Sequence, residues 1–478
     1  MSALLQPGAG AVATGTMAAM HSPSDLARLF GGRLEGSGDP RRPLAGLATD
    51  SREVVPGGGF VAVRGSADDG HRFVGAATAA GAALAVVAED WSAPPEGAPP
   101  LLLRVADTAA ALRSACEGRL AELGCHVVGI TGSVGKTTAK ELCAHVLRGS
   151  VHVARTPGNL NTWTGIPLTV LALEPPVDAF VCEMAMSARG EIRDLCSFTH
   201  PRTGVLLNVG VAHIELLGSQ EAIAEAKAEL LEALPADGTA VCNADDEHVR
   251  RVSARTRAAV QWFGVRSPDA RFRAADVRGE GIDGTRFTLV GPDGSAPAHL
   301  RVPGTHIVLD ALAAAAVASS FGIGVAQVAE RLQSFESPAQ RGRVLRGVGG
   351  ARIYDDSYNS SPQSLQAALE TLGATRAKRR VAVLGDMLEL GSHTGMAHRM
   401  AGRQAAALAT TLIAIGDQAY TMFSAALAAG MEPEECFAVA SVEDAVRIAR
   451  ERCDADTAVL VKASHGMALE RVVEGLRA

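Results

Sequence analysis

The 478-residue chain has eight cysteines but no pair in C-x-x-C spacing. That argues against zinc knuckles and against a disulfide framework, and it favours a reducing cytoplasm. A basic excess is also missing. The 45 Lys and Arg against 52 Asp and Glu leave a net charge of -7, so no general attraction to nucleic acid or an acidic membrane is expected, and any phosphate binding must be local. The first twenty residues contain no Lys or Arg and so lack the charged start of a secretory signal. Rich in Gly, Ala and Thr, residues 1–21 are expected to be a disordered extension. No long apolar run is present either: residues 311–329 are uncharged, but Gly322, Gly324 and Gln327 interrupt them. They read as a packed helix and turn, not a membrane span.

What is present is ordinary for a globular protein, with 47% apolar and 20% charged residues. The length suggests about three domains. The stretch Val127–Leu142, VVGITGSVGKTTAKEL, is the organising feature. Val127, Val128 and Ile130 read as a buried strand; glycines break it, and helical spacing follows from Lys136 to Leu147. A glycine-rich turn between strand and helix aims backbone N–H groups and a helix N-terminus at one point, which favours an anion. The turn comprises Gly132, Ser133, Val134 and Gly135, followed by Lys136, Thr137 and Thr138. Lys136 is placed to reach outer phosphates, and a hydroxyl of Thr137 or Thr138 to ligate magnesium. The strict G-x-x-x-x-G-K-[ST] pattern is not met, because Ile130 holds its first position.

Taken in order, the chain predicts an α/β fold of three domains: 22–124, 125–336 and 337–478. In the first, Ser51 and Arg52 follow a strand; they suit a diphosphate, yet by themselves they read better as a surface pair in a turn. In the second, Asn159 and Asn161 lie in a polar loop and either touch a ligand or shape the turn. The strand Asp178–Glu183 ends in a carboxylate well placed for magnesium. His213 follows another strand, where a structural histidine is the commoner finding. The helix 219–234 carries Lys227 at the edge of its apolar stripe, a position from which lysine ordinarily reaches solvent. Residues 269–300 read as a β excursion. In the third, strands near 352–355, 381–384, 411–415 and 458–461 alternate with helices, which implies a mainly parallel, doubly wound sheet.

Thr49-Asp-Ser-Arg52, Gly158-Asn-Leu-Asn161, Asp355-Asp-Ser-Tyr-Asn-Ser360, Val383-Leu-Gly-Asp-Met-Leu-Glu-Leu-Gly391 and Val461-Lys-Ala-Ser464 join the phosphate loop, Glu183, His213 and Lys227. With them the chain, from about residue 22 onward, resembles the Mur ligase family, the ATP-dependent amide-forming enzymes of peptidoglycan synthesis. Within it, these stretches look like those of the branch that adds D-alanyl-D-alanine to UDP-N-acetylmuramoyl-tripeptide. The resemblance implies a UDP-substrate domain, a central ATPase domain of the phosphate-loop type with a mostly parallel sheet, and a Rossmann-like acceptor domain. It also implies an acyl phosphate formed from ATP, and a cytoplasmic monomer with no nucleic-acid partner and no membrane span.

By the same resemblance, Thr137 and Glu183 hold one magnesium and His213 a second, with Lys227 ligating the latter as a carbamate. Asn243 contacts adenine or its sugar, Arg343 the γ-phosphate and Asp356 the ribose. Ser51 and Arg52 hold the UDP end, while Asn159, Asn161, Asp355, Ser357, Tyr358 and Asn359 serve the substrates. The resemblance also implies that the third domain rotates onto the others when ligands bind. Departures are Ala185 for a glycine, Ile307 and Asp310 for asparagines that usually frame the adenine pocket, and Ala463 and His465 for glycine and arginine. The rivals are a sister ligase taking diaminopimelate or glutamate, and a nucleotide-switched binding module without ligase chemistry.

Overall fold

The computed structural model describes residues 21–65, 68–92, 97–210 and 217–477. These fall into two compact units. One gathers the chain up to Cys125 with Thr156–Phe180 and Ser197–Thr199; the other holds His126–Arg155, Val181–Cys196 and the chain from His200 onward. The first unit's opening segment ends at Cys125, and the segment 156–180 groups with it. Its helix Gly165–Leu171 carries Leu171, which joins Leu84, Leu103 and Leu112 in the core of that unit.

The first unit is built on a five-stranded sheet in the order Arg33–Gly36, Leu101–Val105, Leu84–Ala88, Gly59–Val61, Leu47–Ala48. Only the first pair is antiparallel. The helix Thr108–Leu123 closes one face. Asp107 caps its start by accepting from the N–H groups of Ala109 and Ala110, and Gly124 ends it at φ 59°, in the left-handed region. A cap of this kind stabilises a helix by about 1 kcal/mol, and glycine takes the left-handed turn without a Cβ penalty.

The second unit contains two sheets. Nine strands run in the order Gly294–Leu300, Thr285–Gly291, Phe272–Gly279, Ala259–Gly264, Thr239–Asn243, Thr203–Leu206, His126–Thr131, Ala179–Glu183, Val153–Arg155. The expected β excursion is the antiparallel set at one end. Ala179–Glu183 is buried at every residue, as strands covered on both faces are. The second sheet has six strands: Arg343–Arg346, Arg352–Asp355, Thr457–Lys462, Arg379–Leu384, Thr411–Ile415 and Cys436–Val439. Apart from the first, antiparallel pair, its strands are parallel. The four strands expected here are present; Arg343–Arg346 and Cys436–Val439 add an edge at each side. Parallel order brings the C-terminal ends of the strands to one side of a sheet, where open α/β folds bind ligands.

Candidate active site

The strand His126–Thr131 delivers the glycine-rich turn to the end of the nine-stranded sheet, and the helix Lys136–Leu147 begins directly after it. Gly135 caps that helix at φ 85°. A Cβ at Gly135 would lie 2.7 Å from Oδ1 of Asp310, so both conformation and space call for glycine there. The turn is braced from the neighbouring strand end by Asn208. Its Oδ1 accepts from the N–H groups of Ser133 (3.1 Å) and Val134 (2.9 Å), while its Nδ2 donates to the Val134 carbonyl at 3.0 Å. Lys136 folds back so that its Nζ donates to the carbonyl of Gly132 at 2.8 Å. Burial lowers its pKa, with the charge of Glu183 opposing and that of Arg341 reinforcing. The N–H groups of the first helical turn have no intrahelical partner, so the turn is an anion cradle with a cation lying across it.

Thr137 and Glu183 come together behind the cradle. The Thr137 hydroxyl donates to Oε2 of Glu183 at 2.8 Å, and both residues are buried. A hydroxyl and a carboxylate in contact are hard oxygen donors, the set that suits magnesium. Lys227, on the helix Gln220–Glu232, is also buried, with a relative exposure of 2%. It does not reach solvent as lysines on a stripe edge usually do. Burial pushes its pKa well below that of an ordinary lysine, and the charge of Lys136 adds to the effect. His213 lies outside the described residues.

A cleft of about 520 Å³ opens over the cradle, and residues beside the six-stranded sheet form its other wall. Asp356 lines it, held by Lys462, whose Nζ donates to Oδ2 of Asp356 at 2.5 Å and to the Asn359 carbonyl at 2.9 Å. Tyr358 and Asn359 line the same wall, and the guanidinium of Arg341 stacks 3.9 Å from the Tyr358 ring centre. Arg343 is exposed, opposite Asp355 in the edge pairing, and Arg341, two residues earlier, lines the cleft. Asp355 and Ser357 also stay out of the cleft wall: they are buried, and the Ser357 hydroxyl donates to Oδ1 of Asp355 at 2.6 Å. They shape the turn that presents Asp356 and Tyr358.

A neighbouring hollow of about 700 Å³ is walled by Asn243, Asp245, Asp246 and Arg266. Asn243 is buried there, donating to the Leu207 carbonyl at 2.8 Å and accepting from the Asp245 N–H at 2.9 Å. In the first unit, Ser51 and Arg52 form a short turn, Ser51–Glu53, in which Arg52 pairs with Asp50 at 2.5 Å. Asn159 and Asn161 lie in the loop before Gly165–Leu171, where the Asn161 N–H donates to the Asn159 carbonyl at 2.7 Å.

Sequence reading missed Asn208, Lys140, Arg341 and Lys462. Lys462 stands in one of the motif stretches, and that was the available signal; the others act through partners distant in sequence. The chain is similar to known proteins. Residues 130–318 match the model of the Mur ligase middle domain, and residues 340–465 match that of the Mur ligase glutamate ligase domain. The UDP-N-acetylmuramoyl-tripeptide--D-alanyl-D-alanine ligase of Bacillus subtilis (strain 168) is 32% identical over 460 residues, covering 95% of this chain and 97% of its own. The enzyme of the same name from Synechocystis is 36% identical over 435 residues, covering 90% and 92%. The crystal structure of MurF ligase from Thermotoga maritima in complex with ADP superposes with a TM-score of 0.76 at 29% identity, covering 90% of this chain and 96% of that one.

Proposed function

The chain belongs to the Mur ligase family, and from that premise we infer its reaction: ATP-dependent joining of D-alanyl-D-alanine to UDP-N-acetylmuramoyl-tripeptide. ADP and phosphate are released, and the product is the UDP-linked pentapeptide precursor of peptidoglycan. The observation that carries this reading is the convergence of the Lys136 cradle, the Thr137–Glu183 pair and the Asp356–Lys462 pair on one cleft.

A carboxylate is a poor electrophile, so activation precedes amide formation. The cradle N–H groups and Lys136 bind the ATP phosphates and stabilise the charge that shifts as the γ-phosphoryl group passes to the tripeptide carboxylate. The acceptor's amino nitrogen then attacks the acyl phosphate, and the tetrahedral species expels phosphate. The Thr137 hydroxyl and the Glu183 carboxylate would hold magnesium, which would supply further neutralisation of phosphate charge. Asp356, on the cleft wall, would accept from the ribose hydroxyls, and Arg341 on the same wall would join Arg343 in meeting the phosphates.

Lys227 acts as a carbamate in this reading. Burial lowers its pKa and so favours the neutral amine, the form whose nitrogen adds to carbon dioxide with loss of a proton. The resulting anion offers metal-binding oxygens. The assignment of 22–124 to the UDP end, 125–336 to ATP and 337–478 to the acceptor follows the family arrangement, as does the cytoplasmic location. Among the described residues, no helix is long and apolar enough to cross a membrane.

The test is phosphate release from ATP with UDP-N-acetylmuramoyl-tripeptide and magnesium, with each acceptor in turn. Release that needs D-alanyl-D-alanine and yields the pentapeptide mass supports the reading. Release with diaminopimelate or glutamate instead moves the chain to a sister activity, and release indifferent to acceptors leaves a nucleotide switch.

A further inference from the structure

Lys140 sits one turn beyond Lys136 on the helix Lys136–Leu147, and its side chain is fully buried. Its Nζ lies 3.3 Å from Oε1 of Glu141 and 3.9 Å from Oε2 of Glu183. That same Glu183 oxygen accepts the Thr137 hydroxyl. Glu141 in turn is held by Arg155, whose Nε donates to its Oε2 at 2.5 Å. Alternating charges thus run from Arg155 through Glu141 and Lys140 to Glu183, ending at the hydroxyl beside the phosphate cradle. Stability alone does not call for such a row, because an apolar side chain of similar volume often serves as well at a buried ion pair.

We propose that Lys140 is a positioning residue for the cation that accompanies ATP: it holds the Glu183 carboxylate toward the metal position. The proposal rests on the reading of Thr137 and Glu183 as magnesium ligands. At 3.9 Å the ammonium acts on the Glu183 oxygen by charge. If Thr137 turned its hydroxyl to a metal, that charge would still act on the carboxylate. Groups that orient a ligating carboxylate typically change metal affinity about 10–100-fold when removed.

The experiment is a Mn2+ titration of the protein–ADP complex followed by electron paramagnetic resonance, alongside thermal unfolding. Lys140→Met and Lys140→Gln should weaken Mn2+ binding about tenfold, and Lys140→Arg should recover most of the loss. Glutamine keeps much of the length and polarity of lysine, so it carries the test if the methionine variant fails to fold. Unchanged Mn2+ affinity in either neutral variant, with or without a lower unfolding midpoint, overturns the proposal. Glu183→Gln separates the two readings: if it too leaves Mn2+ binding unchanged, the metal assignment itself fails, whereas a loss confined to Glu183→Gln sinks only the role of Lys140.

Discussion

Three side chains carry most of the chemistry argued here, and each owes its behaviour to burial. Lys136 is the charge across the phosphate cradle. Lys136→Met should lower kcat on the order of 10²–10³-fold, as removal of a preorganised charge-stabilising group does, with the unfolding midpoint little changed. Lys227, with its lowered pKa, should lose function in buffer stripped of carbon dioxide and regain it with bicarbonate. A carbamate signal in ¹³C NMR after labelled bicarbonate is the direct check, and full activity without carbon dioxide contradicts the assignment. Asp310 is the third. Burial raises its carboxyl well above the usual aspartate range, and it lies against Gly135 where the resemblance expects an amide. Below its folded pKa the group is neutral; above it, a charge faces the cradle. The KM for ATP should therefore rise with pH in the wild type and stay flat in Asp310→Asn. A raised folded pKa also means that this group's contribution to stability is present at low pH and is lost as pH climbs through the folded value. The stability advantage of Asp310→Asn in urea unfolding should accordingly grow from acid to neutral pH. Lys136 and Thr137 were legible in the sequence because a strand–turn–helix pattern carries them, and Glu183 because it ends a buried apolar strand. Lys140 and Asn208 were not, because their partners Glu183 and Val134 are far away along the chain.

At the scale of elements, the phosphate turn is the part least tolerant of change. Gly135→Ala forces a Cβ into a left-handed residue and against the Asp310 carboxylate. It should cost about 1–2 kcal/mol, and it should raise the KM for ATP more than Gly149→Ala, a left-handed glycine with open space around it. Comparing the two variants in denaturant and in nucleotide titration separates local strain from damage to the cradle. The long apolar strands and the helix from Lys136 were readable from periodicity. Arg343–Arg346 was not: two arginines in four residues look like a loop, and only edge pairing with Arg352–Asp355 makes it a strand. That pairing sets Arg343 opposite Asp355, while Arg341, in the turn before the strand, lines the cleft.

At the scale of the molecule, the alternation of strands and helices was enough to give α/β architecture with separate sheets. Residues 156–180 could not be placed from order alone, because the helix Gly165–Leu171 meets the helix Thr108–Leu123 only in the folded first unit. Ligand binding by several domains for one reaction implies closure. Small-angle scattering should show a smaller radius of gyration with an ATP analogue and UDP-N-acetylmuramoyl-tripeptide than without them, and equal values would contradict closure. The central claim is that the cleft activates a carboxylate by phosphoryl transfer before an amine attacks it. Tripeptide substrate labelled with ¹⁸O in its terminal carboxylate tests that most directly. The account predicts that the released phosphate carries one ¹⁸O per turnover when D-alanyl-D-alanine is present; phosphate free of label alongside pentapeptide product would contradict it.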